Sequence, residues 1–198
     1  MSPNSNSSNL RMTVYAALFT AFIIIGGYIS VPVPVGPVPI VLADFFVMLT
    51  ALFLGYKWGP VSVALFLALG ALGLPVFAGG KAGLAVLFGP TGGFLLGYLL
   101  LVIVTGLLTE KIKSVSAKGT LLKNIAALIA GNVLLYLVGV PWLKVVTKLP
   151  WSGALAAGLI PFIPGIIIKI AAAVIVAQVL LPRFKQATAQ SAPRHEDA

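Results

Sequence analysis

Charged residues are scarce in this chain. Only 9% of its 198 residues are charged and 60% are apolar, with a mean hydropathy of +1.10. A water-soluble domain carries about 25% charged and about 45–50% apolar residues, so this chain has too few charges to cover a surface in water. The composition therefore predicts a polytopic domain embedded in a bilayer.

Several reactive groups are also missing. The chain has no cysteine, which excludes disulfides, thiolate metal sites and a cysteine nucleophile. Its one histidine, His195, lies in the polar C-terminal stretch, so a zinc hydrolase is excluded. The Gly80-Lys81 pair lacks the upstream glycine of a phosphate-binding loop, so the chain cannot be its own ATPase. We expect no catalytic residue, no metal site and no cofactor.

Six apolar runs approach the roughly 20 residues that a membrane-spanning helix needs. They cover about 12–30, 40–55, 58–74, a run that starts between 83 and 92 and ends at 109, 121–140, and 154–181. The sequence predicts an all-α integral membrane protein with six transmembrane helices. The membrane domain is expected at 12–182, between polar tails at 1–11 and 183–198, with disorder from Gln186 onward. The uncharged polar start predicts no cleaved signal peptide.

Basic residues outnumber acidic ones by 13 to 4, and their positions predict the orientation. With the N-terminus in the cytoplasm, nine basic residues fall inside: Arg11, Lys57, Lys111, Lys113, Lys118, Lys123, Arg183, Lys185 and Arg194. Three fall outside: Lys81, Lys144 and Lys148. An excess of Lys and Arg marks cytoplasmic loops, so both termini are predicted to be cytoplasmic. These charges meet membrane lipid, and no nucleic-acid partner is expected.

Apart from Asp44, Lys169 is the one ionisable side chain expected to lie well within a span. Lys169 lies inside the sixth span, where a charge costs at least about 2.5–3.5 kcal/mol unless it is paired or hydrated. Pro161 and Pro164 precede it and free backbone carbonyls, so we expect a polar cavity here. We expect Lys169 to bind a substrate carboxylate; alternatively, it reaches the interface or pairs with Asp44. Asp44, near the outer start of the second span, is either a ligand contact or a solvated helix-start residue.

A glycine-rich segment covers residues 73–98 and contains eight glycines. Glycines permit left-handed backbone and expose amides that can bind a small polar ring. Phe77, Phe94 and Tyr98 add flat apolar faces, which together are typical of a small-molecule site. Close helix packing by small residues explains the glycines equally well.

Two pairs of residues sit one helical turn apart. Asn132 and Tyr136 in the fifth span point to one side, so the buried amide faces protein, water or ligand. Contact between helices is the alternative for Asn132. Ala17 and Ala21 in the first span form a small-x-x-x-small pattern, which allows another helix to approach closely.

Four runs carry a resemblance to a known family. They are Pro32-Val-Pro-Val-Gly-Pro-Val-Pro39, Leu74-Pro-Val-Phe-Ala-Gly-Gly80, Gly89-Pro-Thr-Gly-Gly-Phe94 with Gly97-Tyr98, and Pro161-Phe-Ile-Pro-Gly165 with Lys169. The chain resembles the BioY family, the membrane-embedded substrate-capture (S) components of energy-coupling factor (ECF) biotin transporters. The resemblance implies six helices, biotin binding from outside, and docking to a module made of a transmembrane coupling protein and two ATPases. By position, Ala17 and Ala21 inherit contact with the coupling protein.

Two positions depart from the family pattern. Relatives often carry Gln-Thr where this chain has Ala43-Asp44, and commonly carry Asp where this chain has Ile166. That Asp would pair with Lys169 or accept from the ureido nitrogens of biotin. Without it, either Asp44 substitutes, the substrate carboxylate is the partner, or affinity is reduced.

The resemblance leads to a hypothesis for the site. The biotin ring lies among Phe77, Phe94, Tyr98 and the 74–93 loop, from which Gly79, Gly80 and Thr91 are candidate contacts. Asn132 or Tyr136 binds the ureido group and Lys169 the carboxylate. The alternative function is a stand-alone facilitator or channel for a small anionic or neutral solute. A membrane enzyme is disfavoured, because no nucleophile and base can be paired.

Overall fold

Helices dominate the computed structural model, which describes residues 3–34, 36–112 and 116–190. The helices are α1 (Pro3–Tyr28), α2 (Ala43–Ala71), α3 (Leu84–Leu87), α4 (Gly92–Lys111), α5 (Ala117–Thr147), α6 (Trp151–Gly158) and α7 (Ile163–Gln190). Single 3₁₀ turns cover Ala78–Gly80 and Ile160–Phe162. Two short strands, β1 (Ser30–Val31) and β2 (Ile40–Val41), pair antiparallel with Ser30 opposite Val41 and close the proline-rich 32–39 loop.

Five segments of the described chain are long and apolar enough to cross a membrane. They are Asn9–Tyr28, Ala43–Ala71, Gly92–Lys111, Lys118–Thr147 and Trp151–Phe184. The count is five because the second and third predicted spans both lie within α2. Lys113, Arg194 and His195, which entered the sequence predictions, lie outside the described residues.

Helix α2 folds back on itself at Gly55. This glycine has φ +65° and ψ −165°, a conformation that is essentially restricted to glycine. A Cβ on Gly59 would lie 3.6 Å from the Thr50 carbonyl oxygen, although nine residues of straight helix span about 13.5 Å. The Glu110 carboxylate accepts from the Tyr56 N–H at 3.2 Å, which ties α4 to the bend. Residues 43–54 and 56–71 are therefore two packed arms.

Helix α1 contacts both arms of α2. Ser62 Oγ donates to the Ala16 carbonyl at 2.9 Å, and Thr20 Oγ1 donates to the Ser62 carbonyl at 3.0 Å. Gly26 lies against Phe46 of the other arm so closely that a Cβ would reach 2.7 Å from the ring. Because these buried hydroxyls have acceptors and the glycine has no side chain, the helices pack at short range.

Helices α4 and α5 form the other closely packed pair. Gly97 lies against the Leu135 backbone, and Thr105 Oγ1 donates to the Ala127 carbonyl at 3.1 Å. Gly106 of α4 lies against Tyr56 at the bend of α2. These contacts place α4 between α5 and α2 and fix the ends of the helices that surround the site.

Two predicted helix ends are wrong. The fifth span was expected to end at Pro141 and the sixth before Pro182, yet α5 continues to Thr147 and α7 to Gln190. An internal proline costs about 3 kcal/mol. Beyond Pro141, the fully buried Leu143 packs against Gly158, and this burial offsets the cost.

The terminal segments also differ from expectation. Pro182 is exposed, so water can solvate the carbonyl that the proline leaves unpaired. Residues 186–190, predicted to be disordered, are helical. At the other end, α1 extends to Pro3 through most of the polar N-terminal stretch. Near the start of the predicted sixth span, the chain breaks into α6, a 3₁₀ turn that contains Pro161, and α7. Pro164 lies in the first turn of α7, where its missing N–H is not needed.

Candidate binding site

A cavity opens where the 32–39 loop and the 74–91 segment meet α2, α4 and α5. It encloses about 650 Å³ of empty space including its mouth. Its lining comprises Val38, Pro39, Val41, Asp44, Phe77, Ala78, Lys81, Val86, Thr91, Phe94, Leu95, Tyr98, Leu135, Tyr136 and Phe162. Ligand pockets combine a mostly apolar lining with a few placed polar groups, and the lining of this cavity has that character.

Aromatic rings make up much of the apolar wall. The Phe94 and Tyr136 ring centroids lie 5.8 Å apart at 75°, and Tyr136 lies 6.3 Å from Phe162. Phe77 packs edge-on against Phe66 at 5.4 Å, and its ring occupies the space beside Gly70. Because these rings are held by their neighbours, the cavity presents fixed flat faces to a ligand.

Lys169 of α7 and Asp44 at the start of α2 form an ion pair. The Lys169 ammonium donates to Asp44 Oδ1 at 2.7 Å, to Asp44 Oδ2 at 2.9 Å and to the Val41 carbonyl at 2.6 Å. Each side chain is only 13% exposed. Asp44 also accepts from the Phe45 N–H at 3.0 Å and lies in the first turn of α2, where the helix dipole favours a carboxylate. Of the partners left open for Lys169, the structure shows Asp44.

The hydrogen-bonding capacity of this pair is unequal. An ammonium has three donors, and all three of Lys169 have acceptors. Each carboxylate oxygen has two lone pairs, so Asp44 Oδ2 can accept a further hydrogen bond. Asp44 lines the cavity, whereas Lys169 is absent from its lining. Lys169 therefore acts on the cavity through Asp44.

The structure brings six of the predicted ligand-binding residues to one cavity. These are Asp44, Phe77, Thr91, Phe94, Tyr98 and Tyr136. Asn132 instead donates its amide to the Leu128 carbonyl at 2.8 Å and borders an apolar groove between α5, α6 and α7. Gly79 borders a shallow depression beside the 32–39 loop. Gly80 borders neither of these nor the main cavity, and both glycines have positive φ.

Sequence reasoning missed Lys81 as a site residue. It was counted only as an outer-loop charge, yet it lines the cavity and is exposed. In the part of the chain that the structure describes, no acidic side chain pairs with Lys81. Its position directly after Gly79-Gly80, inside the glycine-rich segment, was the signal that could have identified it.

The 72–91 segment is tied down around the cavity. The Tyr28 hydroxyl donates to the Pro75 carbonyl, Trp142 Nε1 donates to the Gly89 carbonyl at 2.9 Å, and the Gly83 N–H donates to the Gly70 carbonyl at 2.7 Å. A backbone pair joins Phe77 to Lys81 at 3.0 Å. The cavity is therefore largely pre-formed, as small-molecule sites usually are.

The two alanines of α1 lie on a different surface. Ala17 and Ala21 are exposed, together with Val14 and Leu18, while Ala16 and Thr20 face the helix core. The two alanines therefore lie on an exposed face of α1, where small side chains allow another helix to approach closely.

Comparison with known proteins identifies the family. The sequence profile of the BioY family matches residues 1–186. The chain belongs to the BioY family. With its long apolar helices, this BioY-family protein is a multi-pass protein of the cell membrane.

Individual BioY relatives match over most of their length. The chain is 41% identical over 168 residues to the biotin transporter BioY of Thermotoga maritima, covering 85% of this chain and 94% of that protein. It is 34% identical over 175 residues to the biotin transporter BioY of Lactococcus lactis, covering 88% and 92%. A crystal structure of the S-component for biotin from an ECF-type ABC transporter superposes with a TM-score of 0.79 at 35% identity, covering 91% of this chain and 94% of that one.

Proposed function

We propose that this BioY-family protein is the biotin-binding membrane subunit of an ECF-type vitamin uptake transporter. It captures biotin from outside and delivers it together with a separate ATP-hydrolysing module. The observation that carries this proposal is the near full-length similarity to a solved biotin S-component. The pre-formed, mostly apolar cavity supports it, because biotin combines an apolar bicyclic body with a polar ureido group and a carboxylate.

The proposed binding mode uses the cavity wall. Phe77, Phe94 and Tyr98 flank the bicyclic body, and the Thr91 side chain offers a polar contact. The free lone pairs of Asp44 accept a hydrogen bond from a ureido N–H of biotin. Lys169 holds the Asp44 side chain in place for this contact. Tyr136 supplies a hydroxyl from α5. Asn132, Gly79 and Gly80 do not line this cavity. They remain predicted biotin contacts, because the segment and the helix that carry them border it.

The proposed topology has six spans with both termini in the cytoplasm. The doubling back of α2 supports two spans within that helix, and the nine-to-three distribution of basic residues supports the orientation. The membrane domain is proposed at 12–182, with tails at 1–11 and 183–198. Since the chain lacks cysteine, Lys57→Cys and Lys148→Cys can be labelled without background. An impermeant thiol reagent added to intact cells should label only the second.

The proposed partner is an energising module made of a transmembrane coupling protein and two ATPases. The sequence has no phosphate-binding loop, and the exposed Ala17 and Ala21 provide a surface on which another helix can dock. The protein is proposed to bind and release biotin without chemical change and without a cofactor. Membrane lipid surrounds it, and nucleic acid is no partner.

Uptake into vesicles tests this division of labour. We expect radiolabelled biotin to accumulate only when the subunit is reconstituted with the energising module and supplied with ATP. Vesicles that contain the module without the subunit are the control for background transport. Counterflow of biotin through the subunit alone would contradict the proposal and support a stand-alone facilitator.

A further inference from the structure

The ligand's carboxylate needs a positively charged or donor-rich contact, and Lys169 cannot supply one. Its three N–H donors are occupied by two Asp44 oxygens and the Val41 carbonyl, all within 2.9 Å. A second carboxylate next to Lys169 would also meet the negative charge of Asp44. Binding a carboxylate there would therefore require a buried ion pair to be broken, which is strongly unfavourable.

Among the residues that line the cavity, the basic one is Lys81. Lys81 lies at the mouth of the cavity, because it also borders the shallow depression beside the 32–39 loop and its side chain is exposed. In the described residues no carboxylate neutralises it. Its backbone is held by the pair of Phe77 and Lys81, while its long flexible side chain remains free to adjust to a ligand.

The charges around the cavity favour an anion at this rim. Lys169 neutralises the charge of Asp44, and apart from Lys81 the other lining groups that can ionise are the phenols of Tyr98 and Tyr136. Lys81 therefore gives the cavity a net charge of +1 at neutral pH, as phenols with a reference pKa near 10 are uncharged there.

We propose that Lys81 binds the ionised carboxylate of the ligand at the mouth of the cavity and so sets the preference for acids over neutral analogues. This inference rests on the proposed function. The Asp44–Lys169 pair serves the uncharged polar part of the ligand. In this proposal Lys81 of the loop binds the carboxylate of the ligand, and the Asp44–Lys169 ion pair binds its ureido group.

Calorimetric titration of the wild-type protein and four variants with two ligands tests the assignment. The ligands are biotin and biotinamide, which carries an uncharged amide in place of the carboxylate. We expect Lys81→Gln to weaken biotin binding about tenfold while biotinamide affinity is unchanged, because one exposed charge-assisted contact is lost. Lys81→Arg should restore most of the biotin affinity. Lys148→Gln is the control: it removes a positive charge from an exposed residue that lines neither the cavity nor the groove and depression described above.

Lys169→Gln separates the two candidate carboxylate partners. If Lys81 is the partner, Lys169→Gln weakens biotin and biotinamide by the same factor, through the freed Asp44. A loss confined to biotin in Lys169→Gln, or unchanged biotin affinity in Lys81→Gln, overturns the assignment. Equal losses for both ligands in Lys81→Gln also overturn it, because they indicate a structural role. Wild-type protein that binds neither ligand overturns the proposed function itself.

Discussion

The Asp44–Lys169 pair should contribute to stability even without ligand. Asp44→Asn leaves the Lys169 ammonium without its counter-charge, and Lys169→Gln leaves the carboxylate unpaired. Each side chain is only 13% exposed, so little water is available to compensate. Both single variants are therefore expected to be less stable than the double variant, in which no isolated charge remains.

The size of the effect follows from the geometry. Removing one partner of a buried pair costs about 3–5 kcal/mol. The residual exposure places the expected loss near the lower end, about 3 kcal/mol, which corresponds to about 6–12 °C in melting temperature for a chain of this size. The double variant removes both desolvated charges, so its loss should be smaller than either single loss, which means a recovery of more than about 3 kcal/mol relative to the sum of the single losses.

Thermal unfolding of the detergent-solubilised, ligand-free protein measures this cycle. The double variant should melt above both single variants, and the coupling should survive high salt because the pair is shielded from solvent. Lys144→Gln, at a partly exposed lysine beside the Trp151 ring, is a control expected to lose less than about 1 kcal/mol. Additive single losses, or losses below about 1 kcal/mol each, would refute the view that this pair is a buried structural element.

Further predictions concern the docking surface and the bend in α2. Ala17→Trp and Ala21→Trp should abolish co-purification with the energising module while biotin affinity is kept. The control Ala126→Trp, at an exposed alanine of α5, should change neither property. Loss of biotin binding in the α1 variants would contradict separate surfaces for docking and for biotin. Gly55→Ala should lower stability by about 1–3 kcal/mol, because φ is positive there and the added Cβ would lie 1.7 Å from the Glu110 carboxylate. The control is Gly165→Ala, where no other atom would lie within 4 Å of the added Cβ, and its melting temperature should be equal to or higher than that of the wild type. Equal losses of stability at both glycines would contradict a special role of the bend.

Hydropathy was sufficient to locate the long apolar segments, because a bilayer imposes a minimum length on every apolar run. It could not reveal that Gly55 joins two of the predicted spans within one helix, since that depends on a backbone conformation. Proline rules placed two helix ends too early. At Pro141, packing against residues distant in the sequence, such as Gly158, outweighs the tendency of proline to end a helix. The local sequence does not show this packing.

The candidate site was predictable where the sequence pattern itself carries the chemistry. The glycine-rich segment with its aromatic residues left a small-molecule cavity and close helix packing equally open, and Phe77, Phe94 and Tyr98 do line a cavity. The pairing of Lys169 with Asp44 joins residues 125 positions apart, so no local spacing could decide it among the alternatives. Lys81 was overlooked because a loop lysine already had an explanation in membrane topology.

Titration of the purified protein with biotin, desthiobiotin and thiamine tests the central claim most directly. We predict saturable binding of one biotin per chain, weaker binding of desthiobiotin, which lacks the sulfur-containing ring, and no measurable binding of thiamine, which offers a cation instead of a carboxylate. Absence of biotin binding, or equal affinity for thiamine, would contradict a biotin-capturing role for this protein.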